Sequence, residues 1–153
     1  MNAELQIGND PATWYLPSAG YDTVVAALAR PGAPFAVEVI APLQGRLLLN
    51  PLAAGAVSLT LPVRPIGWNP SGVVWPESPL LYVSSATAPT HADPGYALAR
   101  GYQLDVLEQE ILTAMTQKTI VTVSLDEGLG KGILVLSGAT LPYVVVCPPA
   151  AKP

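Results

Sequence analysis

The sequence predicts an α+β fold, predominantly β, made of two related βαβββ halves packed about a pseudo-twofold axis. Three observations lead there: short apolar runs rich in Val, Leu and Ile lie between Gly and Pro, two segments carry helical periodicity, and the chain can be laid over itself. Of 153 residues, 50% are hydrophobic and only 12% charged, against about a quarter charged in an average globular chain. This composition excludes a disordered tail, and the length is enough to bury roughly two-thirds of the surface. One compact domain is expected, with residues 1–62 as a first repeat unit, 63–79 as a connector and 80–153 as a second unit.

The duplication is anchored by Tyr15, Gly20 and Tyr21 against Tyr96, Gly101 and Tyr102, each pair 81 residues apart. Upstream of the anchors, Glu4–Ile7 and Leu80–Ser84 each supply one strand. Downstream, each half gives a helix, Asp22–Arg30 and Asp105–Lys118. The second has Leu104, Leu107, Ile111, Leu112 and Met115 at helical spacing, with Asp105 and Glu108 spaced as a capping box, while the first stops at Pro31-Gly32. The alternating runs Phe35–Ile40 and Thr119–Leu125 then read as strands. Two further runs per half, Arg46–Leu49 with Val57–Leu61 and Gly132–Val135 with Tyr143–Cys147, correspond at an offset of 86 residues, with Leu48/Leu134, Ala53/Ala139 and Pro62/Pro148 identical. Each of these pairs reads as a hairpin. A hairpin with one wet face would alternate apolar and polar residues, but Leu47–Leu49 and Val144–Val146 are continuous, so both of their faces are expected to be buried.

The connector VRPIGWNPSGVVWPESP carries Pro65, Pro70, Pro76 and Pro79, which bar a central strand. A flexible linker would be polar, so Trp68, Trp75, Val73 and Val74 are expected to lie against something, either the protein's own core or a partner. With Tyr15 and Tyr96 they form the candidate interface.

Charge and cysteine content narrow the functional classes. The net charge is −4 and the seven basic residues are scattered singly, so no stripe is available to neutralise a phosphate backbone, and nucleic acid is not an expected partner. The single Cys147 permits no internal disulfide and reads as a small buried hydrophobe. The N-terminal MNAELQIGND lacks a basic region followed by an apolar stretch, so cytoplasmic synthesis without a signal peptide is expected, with incorporation into a particle open to the product. Residues 132–151 carry no charge over nearly a bilayer's span, but Gly138, Pro142, Pro148 and Pro149 would break a helix there, so strands are expected and no membrane span.

No motif supplies chemistry. His91 and Asp93 sit in the Pro-rich APTHADPG, near Ser84 and Ser85, without a G-x-S-x-G elbow, and one His with one loop Asp is too few ligands for a metal. In DEGLGKG, Lys131 precedes Gly132 where a phosphate-binding loop would place it before Ser or Thr, so the segment reads as a long hairpin turn. Glu108 and Glu110 point to different sides of a helix. No catalytic residue, cofactor or metal site is expected. The expectation is a non-enzymatic structural or interaction protein, a component of a larger assembly such as a virion shell or decoration protein, with itself or other assembly subunits as partners and a homo-oligomer as the expected state. The alternative is a binding module that holds a small apolar ligand or a peptide between its halves.

Overall fold

The computed structural model describes residues 3–30, 32–61, 79–85, 87–90, 93–99, 101–126 and 131–149. Its fold is α+β and predominantly β. In chain order the elements are β1 (Ala3–Ile7), β2 (Thr13–Leu16), α1 (Ser18–Leu28), β3 (Phe35–Val39), β4 (Gly45–Leu49), the single turn α2 (Pro51–Ala54), β5 (Val57–Thr60), β6 (Leu80–Val83), β7 (Tyr96–Ala97), α3 (Leu104–Gln117), β8 (Ile120–Asp126), β9 (Lys131–Ser137) and β10 (Tyr143–Cys147). All strand pairs among the described residues are antiparallel. They form a five-stranded sheet β3-β4-β10-β6-β7, a three-stranded sheet β2-β1-β5 and the hairpin β8-β9.

The expected strands are present, but the hairpins expected of Arg46–Leu49 with Val57–Leu61 and of Gly132–Val135 with Tyr143–Cys147 do not form. β4 pairs with β3 and β10, β5 with β1, β9 with β8, and β10 lies between β4 and β6. The reason is burial. All five residues of β10 are apolar and buried, and only a central strand between two packed layers can bury both of its faces. Two strands that the sequence reading left as loop, β2 and β7, extend the sheets; in β2 the buried Trp14 and Leu16 alternate with the half-buried Thr13 and Tyr15.

The five-stranded sheet therefore divides two cores. On one side Leu47, Leu49, Tyr143 and Val145 meet Leu5, Trp14 and Leu16 of the three-stranded sheet and Val24 of α1. On the other side Leu48, Leu81, Val144 and Val146 meet Leu107, Ile111 and Met115 of α3 together with Val123 and Leu136 of the β8-β9 hairpin. The expectation that Leu47–Leu49 and Val144–Val146 bury both faces holds, and the cover comes from the chain itself.

Both helices depart from the expected limits. α1 begins a turn early, at Ser18, because Gly20 lets the helix close on the sheet: a Cβ there would stand 3.0 Å from that of Leu16. The capping box expected at Asp105 and Glu108 is absent. Gln103 occupies the N-cap without a side-chain hydrogen bond, Asp105 adds its charge to the first turn, and Glu108 reaches out to Arg46 of β4 at 3.1 Å. The chain leaves α3 through Lys118 in the left-handed conformation, with the Thr119 N–H donating to the Ala114 carbonyl at 3.0 Å.

Asn50 is the one buried polar residue among the described positions. Its side-chain amide donates to the Gly138 carbonyl at 2.8 Å and its backbone N–H to the Pro142 carbonyl at 2.9 Å, so it ties the segment after β4 to the segment before β10. Gly138 has no room for a side chain, since a Cβ there would overlap the Ala114 carbonyl.

The helix face can be checked directly. Leu107→Ala should lower stability by about 2–5 kcal/mol in urea unfolding. Val106→Ala, at an exposed position on the same turn, should stay within about 0.5 kcal/mol. Equal effects at the two positions would show that the buried face is assigned wrongly.

Candidate functional site

One hollow lies where the residue 1–61 and 79–149 portions meet, and another lies within residues 82–96. The first, of about 510 Å³, is lined by Asn9, Asp10 and Pro11 of the β1–β2 turn, by Ala54, by Ser84 and Ser85 beyond β6, and by Pro142 and Tyr143. The second, of about 320 Å³, shares Ser84 and Ser85 with the first and is bounded by Tyr82, Thr87, Asp93 and Tyr96. Both fall in the size range of small-molecule sites. The β1–β2 turn is held by the Asp10 carboxylate, which accepts from the Ala12 N–H at 2.9 Å.

Behind these hollows lies an aromatic cluster. Trp14 packs on Tyr82 with ring centroids 5.5 Å apart and meets Tyr143 edge-on at 5.8 Å. The Trp14 indole N–H donates to the Tyr143 hydroxyl at 3.1 Å, and the Tyr82 hydroxyl donates to the Thr87 carbonyl at 2.9 Å. This satisfies the polar end of each ring, as burial requires. Burial, with the nearby Asp10 carboxylate adding to it, pushes the Tyr143 hydroxyl well above the ordinary phenol range, and the indole N–H only partly offsets this. Burial and Asp10 raise Tyr82 in the same direction. Burial alone pushes the Cys147 thiol from 9.0 up to about 12. These groups are held neutral. They serve as hydrogen-bonding and packing groups, with no tendency to act as bases or nucleophiles near neutral pH.

The structure brings Ser84, Ser85 and Asp93 to one hollow, as their proximity in sequence suggested, whereas His91 lies outside the described residues. The Ser85 hydroxyl accepts from the Thr87 N–H at 3.4 Å. Among the described residues no carboxylate hydrogen-bonds to either serine, and no group of three His, Cys, Asp or Glu side chains comes together to hold a metal. Of the candidate interface residues, Tyr96 lines the smaller hollow and is exposed, while Tyr15 is half-buried on β2, its backbone bridged to Ala41. Trp68, Val73, Val74 and Trp75 lie outside the described residues.

Sequence reasoning missed the Trp14–Tyr82–Tyr143 cluster. The signal was available locally as the alternation in TWYL, but the meeting of the three rings depends on β10 entering the middle of a sheet. No protein-family model matches this chain, and no curated protein or solved structure matches it either.

The raised groups give a pH dependence of defined sign. A folded-state pKa above the unfolded value means that the fold favours the neutral form. The associated stability is fully present below the unfolded values of 9.0 for Cys147 and 10.0 for the tyrosines, and is lost as pH rises through the folded values. Resistance to urea should therefore decline from about pH 9 upward. Cys147 should resist thiol reagents at pH 8 until the protein unfolds. A thiol that reacts in the native state at the rate of a free cysteine would contradict its burial.

Proposed function

We propose that the protein is a non-enzymatic structural or interaction protein, built by internal duplication, that works as a homo-oligomeric component of a larger assembly. The duplication is supported by strand pairing. β1 pairs with β2 and β5, as β6 pairs with β7 and β10, and β3 pairs with β4 as β8 pairs with β9. Single bridges extend the likeness: Tyr15–Ala41 ties β2 to the end of β3, and Leu98–Leu125 ties the end of β7 to β8. Across these bridges the order is β5-β1-β2-β3-β4 in one half and β10-β6-β7-β8-β9 in the other.

Side-chain direction favours one correspondence between the proposed halves. Leu47 and Leu49 face the core of their own half, and so do Leu134 and Leu136, which gives an offset of 87 residues. The offset of 86 suggested by the Leu48/Leu134 identity would match an inward residue with an outward one, because a slip of one residue turns a strand over.

The observation that carries the assembly reading is an apolar row on the outward face of the β8-β9 hairpin, where Ile120, Ile133 and Val135 are 67%, 70% and 59% exposed. Ile133 and Val135 stand side by side on one strand, and a row of this kind marks an interaction surface. A virion shell or decoration component is one such assembly part, small and acidic. Sedimentation equilibrium should give a mass that is a multiple of the 15.9 kDa chain at micromolar concentration. A single-chain mass up to about 100 μM would refute the reading.

The hollow of about 510 Å³ favours the second reading, a module that binds a small apolar ligand or a peptide between its halves. In that case a chain of single mass should bind an apolar dye at one site with quenching of Trp14, and Tyr143→Phe with Ser84→Leu should alter that binding. A dye that neither binds nor perturbs Trp14 would count against it.

A further inference from the structure

We infer that copies of this chain join head to tail by pairing β9 of one copy with β5 of the next, repeating between molecules the joint that β4 and β10 make within one. The inference rests on the assembly reading above and specifies its geometry.

The internal joint has two parts. β4, last in the strand order of the first half, pairs with β10, first in the order of the second, through Leu48 opposite Val144 and Arg46 opposite Val146. In addition, α3 of the second half covers the outward face of β4, burying Leu48 and drawing Glu108 to Arg46 at 3.1 Å. β9 is the counterpart of β4, and β5 is the counterpart of β10. In a pair of halves closed about a twofold axis, β9 would pair with β5 of the same chain. Among the described residues β9 pairs only with β8 and β5 only with β1, so the strand order ends in two unpaired edges that are the equivalents of the two edges already joined.

The distribution of exposed apolar residues fits this. α3 packs on both β8 and β4, whereas α1 packs on the equivalent β3 and, among the described residues, not comparably on β9, the counterpart of β4. Val25 and Leu28 of α1 are left 48% and 38% exposed, and Ile133 and Val135 of β9 stand exposed where Arg46 and Leu48 stand on β4. Each patch is one side of the missing contact. Carrying the internal register across by 87 residues places Val135 opposite Val57 and Ile133 opposite Leu59 of the next copy, under its α1. Val57 and Leu59 face the first core and are only half buried, so the added strand would complete that core as β4 and β10 complete the sheet between the two. Two different surfaces meet, so the contact is heterologous. It propagates until the rotation between copies closes a ring, or runs on as a filament.

The test uses two variants of the full chain, Ile133→Lys with Val135→Lys, and Val25→Lys, all at positions at least 48% exposed, so that unchanged melting is expected. Edge lysines oppose strand addition. Each variant alone should fall to the mass of one chain. A one-to-one mixture should form a dimer and nothing larger, since each variant keeps the surface the other has lost. Should a variant melt early, co-expressed Val57→Cys and Val135→Cys chains decide instead, because a short bifunctional thiol reagent should link unlike chains and not like ones, with Cys147 buried and silent. Wild-type chains that stay single overturn the assembly reading itself. Wild-type assembly that survives the lysines, a mixture that stays monomeric, or linkage between like chains overturns this joint and leaves the assembly reading standing.

Discussion

The structure depends on the pairing of β4 with β10, two strands that bury apolar side chains on both faces. Leu47, Leu48 and Leu49 opposite Tyr143, Val144 and Val145 present apolar side chains above and below the sheet, so the sheet must be covered twice. One cover is the β2-β1-β5 sheet with α1, and the other is α3 with the β8-β9 hairpin. The two cores thus share a wall. A change in the wall is felt in both, because a side chain and its sequence neighbour point into different cores.

The wall also explains where polar groups are tolerated. Asn50, at the end of β4, is buried because the chain must turn out of the wall there, and its amide and backbone N–H satisfy the Gly138 and Pro142 carbonyls of the segment that leads into β10. Tyr143 begins β10 with its hydroxyl at the seam, where Trp14 provides the donor. The start of β10, at Pro142 and Tyr143, forms one wall of the hollow between the β1–β2 turn and Ser84.

On the duplication proposed above, the shared wall has a further consequence. The first half supplies β4 to the joint and the second supplies β10, which leaves β5 and β9 at the ends of the strand order. The polar outward residues of β5, Ser58 and Thr60, suit an end strand, whereas Ile133 and Val135 on β9 resemble the buried face of β4 more than a solvated surface. Burying such a row is worth about 25 cal/mol for each Å² removed from water, which favours its covering in the protein's working state.

Much of the fold was legible in the residues. The strands at Ala3–Ile7, Phe35–Val39 and Ile120–Asp126, the helical face of Leu107, Ile111 and Met115, the buried Cys147 and the two-faced runs all follow from periodicity and side-chain type, which act over a few residues. Which strands pair was decided by the tertiary structure. Tyr143–Cys147 looks like the partner of Ile133–Leu136 because the loop between them is short, yet a strand that is apolar on both faces gains more by entering the middle of a sheet than by closing a hairpin with one wet face. The aromatic cluster, the hollow beside it and the exposed row on β9 follow from that choice, and long-range burial made it, over distances that local sequence pattern does not encode.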